Sequence, residues 1–361
     1  MRRFVVAAAC SSALFAALAP ARSQTLRIAL REDPDILDPT LARSYVGRIV
    51  FAGLCDKLFD LNEKLEIVPR LATSHEWTDP KTLVLHLRQG VTFQNGEPFD
   101  AAAVKADPKL RIVTSPALGY GSITFNITNG DRSKAPIDQS ALLRQAFESA
   151  IDRQVPVDVV FSGMYTPNAQ PVSPASPFHI PDLAPRPRDL ARTRALVKQA
   201  GTPTPISVSM NVLNTPDRAQ LAAVIQSMVR EAGFELKINL IEFASSLSAA
   251  TQGAFETYLI GWSGRADPDG NLYALLHTGS GQNDGHYANP VVDDTLEQAR
   301  QVADIPARRA LYARMWEQQR KDLPLIYLFT PVNVVGLSAK LSGFRAVPDG
   351  MIRLQGLRLE K

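Results

Sequence analysis

The chain has 361 residues, 45% of them hydrophobic and 21% charged, with 39 Lys+Arg against 36 Asp+Glu. That is enough apolar chain for two packed lobes, and too balanced a charge to mark a nucleic-acid or anionic-membrane binder. The first 23 residues carry Arg2, Arg3 and Arg22 and no acid, so without them the count falls to 36 against 36.

Those residues read as a secretory signal peptide: a basic start, an apolar run from Phe4 to Leu18, then small residues around Ala21 and Ser23. The run is too short and Ala-rich for a spanning helix. Cleavage also removes Cys10, which leaves Cys55 alone and rules out an internal disulfide. An exported chain of this kind rests on its core.

In chain order, Leu26–Leu30 alternates as a first strand, and Val46, Ile49, Val50, Leu54 and Leu58 lie at near-helical spacing within 43–59. Leu83, Leu85 and Leu87 mark a half-buried strand, and Val91–Phe93 with the Asn95-Gly96 pair a further strand and tight turn. Leu142, Leu143, Ala146, Phe147, Ala150 and Ile151 form a helical stripe. Residues 167–187 hold seven prolines and no hydrophobic period, which predicts an extended segment wrapping the surface or edging a cleft. A helix over 189–200, a strand over 206–212, a helix over 217–232 ending at Gly233, and a strand over 236–240 make a βαβ unit with parallel neighbours. Tyr258–Ile260 reads as another strand of that sheet. Helices over 291–303 and 306–321 and a strand over 325–329 follow.

The stretch that invites a ligand is Gly261–Asn271, which sets Trp262, Arg265, Asp267, Asp269 and Asn271 after the Tyr258–Ile260 strand. Ligands of α/β sheets gather at the carboxyl ends of strands. Trp262 offers an apolar wall, Arg265 a planar fork for carboxylate, and the two acids acceptors for amine or hydroxyl. The plainer alternative is a surface turn, since Asp-Pro and Asp-Gly are common turn pairs.

The run Leu71-Ala-Thr-Ser-His-Glu-Trp-Thr-Asp-Pro through Leu87-Arg-Gln-Gly-Val-Thr-Phe-Gln-Asn-Gly-Glu-Pro-Phe99 resembles the signature of the family 5 extracellular solute-binding proteins. The resemblance continues through Gly119–Asn126, Arg144–Arg153, the Gly261–Asn271 loop, Tyr287–Asp293 and Asp322–Leu328. It implies an α/β, two-lobed periplasmic binding protein of type II, the peptide-binding class. In such a receptor the ligand binds between lobes, a hinge closes, and the closed form docks on an ABC-importer permease in the inner membrane. The implied division is a signal peptide over 1–23, a first lobe over 24–118 plus 330–361, and a ligand-binding lobe over 119–329. One departure stands out. Family members follow the Phe99–Lys105 helix with a long region that is missing here, so the first lobe is expected to be reduced.

In peptide-binding members the place three residues after this Trp holds an Asp that grips the ligand's ammonium. Here it is Arg265, which favours a carboxylate or phosphate; the alternative is that Arg265 pairs with Asp267 or Asp269 and shapes the turn. Tyr120, near the crossover between lobes, and Asn271 are further candidates for lining the cleft.

Other chemistry fares worse. Gly261-Trp-Ser-Gly-Arg265 misses the nucleophile elbow by one residue and no helix reads next. The five histidines, at 75, 86, 179, 277 and 286, match no metal motif, and no phosphate-cradling loop appears. Trp77 and Trp316 sit in core patterns. The expectation is a monomeric periplasmic receptor for a small peptide or peptide-like solute, with no cofactor, no metal, no catalysis and no nucleic acid. The rivals are a non-binding remnant, a sensor without transport, and an exported hydrolase.

Overall fold

A computed structural model describes residues 110–359 throughout and, before them, 26, 28–30, 33–37, 44–54, 57, 59–70, 72–79 and 82–87. The signal segment with Cys10, Cys55, the Asn95-Gly96 turn and the Phe99–Lys105 helix lie outside the described residues, as do the side chains of His75, Trp77 and His86.

Leu26 and residues 28–30 form no strand, contrary to their alternation. Alternation supplies an apolar edge, but a strand also needs a neighbour for its N–H and C=O groups, and no described strand pairs with this segment. The first element among the described residues is helix α1 (Tyr45–Leu54), inside the expected window, with Val46 and Ala52 buried. Two small antiparallel pairs follow: β1 (Phe59–Leu61) with β2 (Ile67–Pro69), and β3 (Ala72–Asp79) with β4 (Thr82–Leu87).

Strand β5 (Leu110–Pro116) runs on through Ala117–Gly119 into β6 (Tyr120–Phe125). Helices α2 (Pro136–Gln139), α3 (Ala141–Ser149) and α4 (Gln154–Phe161) lead to the short β7 (Thr166–Pro167). Helix α5 (Leu190–Ala200) starts where the Asp189 carboxylate accepts the Arg192 N–H at 2.8 Å and stops at Gly201 in the left-handed region. Strand β8 (Ile206–Leu213), helix α6 (Pro216–Arg230) and strand β9 (Phe234–Ile241) form the expected βαβ unit, the strands parallel from Ile206↔Phe234 to Leu213↔Ile241.

Helix α7 (Phe243–Thr251) precedes β10 (Thr257–Trp262), and α8 (Asp269–Leu276), α9 (Pro290–Arg300) and α10 (Ile305–Asp322) follow. The chain ends with β11 (Leu325–Thr330), β12 (Val332–Ser338), β13 (Leu341–Ser342) and β14 (Arg358–Leu359).

The main sheet has six strands in the order β7-β11-β6-β10-β8-β9. Its β8, β9 and β10 are parallel, while β6 runs antiparallel to both β10 and β11. Every residue of β11 is buried, and alternate side chains serve opposite faces. Ile326 and Leu328 join a core with Phe147, Ile225 and Phe234 from one layer of helices and β9. Leu325 and Tyr327 join another with Leu272, Leu296, Tyr312 and Trp316 from α8, α9 and α10. Trp316 is therefore a core residue, as its pattern predicts. The proline-rich segment does more than wrap the surface: it inserts Val172 and Phe178 into the second core. Gln170 pins it by donating to Ile180 O at 2.8 Å and accepting from Ile180 N at 3.1 Å.

Beyond the main sheet, β5 pairs with β12 in an antiparallel ribbon from Pro116↔Val332 to Leu110↔Ser338. The chain thus crosses between ribbon and sheet twice, outward at Ala117–Gly119 and back at Pro331. A hydrogen bond from Ala117 N to Pro331 O, 3.0 Å, ties the two crossings together.

Candidate functional site

Trp262 is the last residue of β10 and the direct cross-strand partner of Tyr120, the first residue of β6. The sheet thereby joins two candidates that lie far apart in sequence. Both sit beside the crossing segment. Gly264 has φ +75°, and a Cβ there would overlap the Leu118 carbonyl; a Cβ on Gly119 would likewise overlap the Trp262 carbonyl. The loop and the crossing strand touch backbone to backbone, a closeness only glycine allows. Gly264→Ala is therefore expected to push the loop off the crossing and destabilise the protein by about 1–3 kcal/mol, measured as a lowered urea midpoint with an unchanged m-value.

Inside the loop Asn271 is the organiser. It is 2% exposed. Its Oδ1 accepts the Trp262 indole N–H at 3.1 Å and the Arg265 backbone N–H at 2.6 Å, and its Nδ2 donates to Arg265 O at 3.0 Å. With both ends of its amide used on the loop, Asn271 ties the Trp262 indole to the Arg265 backbone. Asp269 and Asn271 also lie on α8, which begins two residues beyond Asp267. The expectation that no helix follows the Gly261–Arg265 turn is corrected: Pro268 stands just ahead of the helix, and Asp269 in its first turn favours the helix dipole.

The two acids are engaged, but not with Arg265. Arg308 of α10 grips Asp267 with two bonds of 2.7 Å, and Arg300 of α9 grips Asp269 at 2.8 and 3.1 Å. These bidentate pairs hold the loop to α9 and α10 and edge an open cavity of about 450 Å³. The alternative in which Arg265 pairs with either acid is thus excluded by the geometry.

Arg265 instead lays its guanidinium over the Trp262 ring, 4.7 Å from the centroid, and donates from Nη1 to Gly264 O at 2.8 Å. Burial holds its pKa below the usual arginine value, with a smaller opposing pull from Tyr120. Tyr120 itself is 2% exposed, edge-on to Tyr327 at 4.9 Å, and its buried hydroxyl has no hydrogen-bond partner. Burial raises its pKa far above the ordinary tyrosine value, and Tyr327 adds to the rise.

One residue that the sequence did not single out also reaches the loop. Arg48 of α1 donates its guanidinium to Ser263 Oγ, a contact across 215 positions of sequence. Among the described residues this is the only hydrogen bond of the Ser263 hydroxyl. The apolar spacing of the α1 segment predicts a helix but gives Arg48 no role. His277 is hydrogen-bonded to Thr278 O and lies 3.2 Å from Glu297. No group of three or more His, Cys, Asp or Glu suited to a metal occurs among the described residues.

Comparison with known proteins places this geometry. Residues 66–107 and 102–283 match the family described as bacterial extracellular solute-binding proteins, family 5 middle, and the chain belongs to that family. The two matched stretches meet at 102–107, where the sequence places the shortened region. The glutathione-binding protein GsiB of Pectobacterium atrosepticum is 28% identical over 271 residues, covering 72% of this chain and 51% of that protein. The periplasmic binding protein DppA of Helicobacter pylori, solved with the peptide STSA, superposes with a TM-score of 0.64 at 26% identity, covering 72% of this chain and 50% of that one. The murein tripeptide binding protein MppA of Escherichia coli shares the fold, with a TM-score of 0.81 at 16% identity over 94% of this chain and 99% of that one. The chain spans about half the length of the curated relatives it matches. The two-lobed type II fold class expected from the sequence is the class of these structural neighbours.

Proposed function

We propose that this chain is the periplasmic receptor of an ABC importer, a monomer that captures a small peptide or peptide-like solute and hands it to a membrane permease without catalysis. Residues 24–118 and 330–361 would form its reduced first lobe and 119–329 its ligand lobe, with 1–23 as the export signal. The observation that carries this reading is the position of the Trp262–Arg265 turn. It closes the carboxyl end of β10 against the double crossing at Ala117–Gly119 and Pro331, where a hinge would transmit ligand binding to the rest of the chain. Trp262, Arg265 and Tyr120 are the proposed ligand contacts; Asp267, Asp269 and Asn271 would support them. The relatives' printed ligands, glutathione and peptides, set the panel.

The test is calorimetric titration of the protein beginning at residue 24 with dipeptides, tripeptides and glutathione. Saturable one-to-one binding of at least one of them is the expected result. Silence across the panel from a protein with native circular dichroism would favour a non-binding remnant.

A further inference from the structure

Two arginines from distant segments converge on the Trp262 turn with no carboxylate to balance them. Arg48 is brought there by its bond to Ser263 Oγ, and Arg265 extends over Trp262. Burial, and then the charge of Arg265, push the Arg48 pKa down to about 10, so the two cations sense each other. Neither is ion-paired among the described residues. The acids in the neighbourhood are committed elsewhere: Asp267 to Arg308, Asp269 to Arg300, and Asp349 to Arg353 at 2.7 and 2.9 Å. Asp349 acts on Arg48 only through space, and less than Arg265 does.

Donors are left over as well. Arg48 Nε and the Tyr120 hydroxyl are both buried without a hydrogen-bond partner. Buried donors and half-buried like charges are costly when unmatched. α1 is nonetheless held in place, for Tyr45 donates to Asn333 Oδ1 of β12 at 3.2 Å, and Asn333 Nδ2 donates to Pro348 O at 3.1 Å. A cost maintained by a fixed scaffold is what an anion site looks like before its anion arrives.

We propose that Arg48 and Arg265 together clamp one anionic group of the solute, a carboxylate or a phosphate, so that α1 and the ligand lobe share a single ligand group. The proposal rests on the receptor reading and narrows it to acidic solutes. An ammonium end has no place beside two guanidiniums.

Calorimetry decides it, with the same peptides offered as free acids, as C-terminal amides and as phosphoserine peptides. Arg48→Met and Arg265→Met should each weaken the free acid about 10- to 100-fold and the amide less than about 3-fold. The double variant should lose less than the product of the two, since both act on one group. A phosphoserine peptide that binds as an amide, and loses affinity in the same way, would identify phosphate as the clamped group. Removal of one like charge should leave the ligand-free melting temperature unchanged or a few degrees higher, which separates lost recognition from lost folding. Arg48→Lys and Arg265→Lys, keeping stem and charge but not the fork, should lie between wild type and Met. Equal losses for acid and amide, or Arg48→Met with undiminished acid affinity, would overturn the clamp while leaving the receptor reading intact. A wild type that binds nothing removes both.

Discussion

Asp138→Asn should stabilise this protein at neutral pH and flatten its stability between about pH 4 and pH 8. Asp138 is 1% exposed, at the start of the helices that pack on the first core. Its pKa is pushed up to about 8, from an ordinary 3.8, chiefly by burial and then by the like charge of Glu256; Arg144 and the Asn126 N–H oppose the rise less strongly. The carboxyl is thus neutral in the folded protein at pH values where it is ionised in the unfolded chain. Its contribution is fully present below the unfolded pKa and is lost as pH rises towards the folded one. At about 1.4 kcal/mol per unit the full loss has an upper bound of about 6 kcal/mol, and relaxation around the site should bring it nearer 2–3. Urea unfolding at pH 5, 6.5 and 8 checks this. Wild type should weaken up the series relative to Asp138→Asn. Parallel pH profiles would show that Asp138 is ionised in the native state.

Asn271→Ala should be the most damaging single change in the candidate site, costing about 3–5 kcal/mol. Three hydrogen bonds go at once, each worth roughly 1 kcal/mol or more when its partner is left buried, and the truncated side chain leaves a small void. The loss is local in origin. Without Oδ1 the indole N–H of Trp262 and the Arg265 backbone are both freed, so the stack of guanidinium on indole loses its support. Ligand affinity should fall together with the urea midpoint. Asn271→Asp retains the two accepted bonds and loses only the donation to Arg265 O, and should recover much of both. If the alanine variant melts within a degree of wild type, the loop is held by something other than this amide.

Much of the second half of the fold could be read from periodicity, because its signals are local. Val208, Met210 and Val212 alternate on β8, Leu221, Ile225 and Val229 recur on α6, and Gly201 caps α5, although α6 ends at Arg230, three residues short of the expected Gly233 stop. The same approach failed where the deciding partner is remote or the composition misleads. Leu26 and residues 28–30 belong to an alternating run, but no described strand pairs with them. α7 is Ser- and Ala-rich without a clear apolar stripe, and α8 opens on Asp-Gly-Asn, residues that favour turns and discourage helix interiors. In the site, the sequence drew attention to the Trp262–Asn271 stretch but could not show which remote groups its polar side chains meet. Asp267 and Asp269 look free until α9 and α10 bring Arg300 and Arg308 to them. Asn271 looks like a turn residue until its amide is seen bridging three groups. Arg48 had no local signal at all, since its meaning comes from a contact with Ser263.

Hydrogen exchange with and without the tightest-binding solute tests the central claim most directly. If the Trp262 turn and α1 hold the ligand where the chain crosses between ribbon and sheet, amides over 262–271 and 45–50 should slow on binding, with 117–119 alongside them. Protection confined to other surfaces, with those three segments exchanging at their ligand-free rates, would contradict the account.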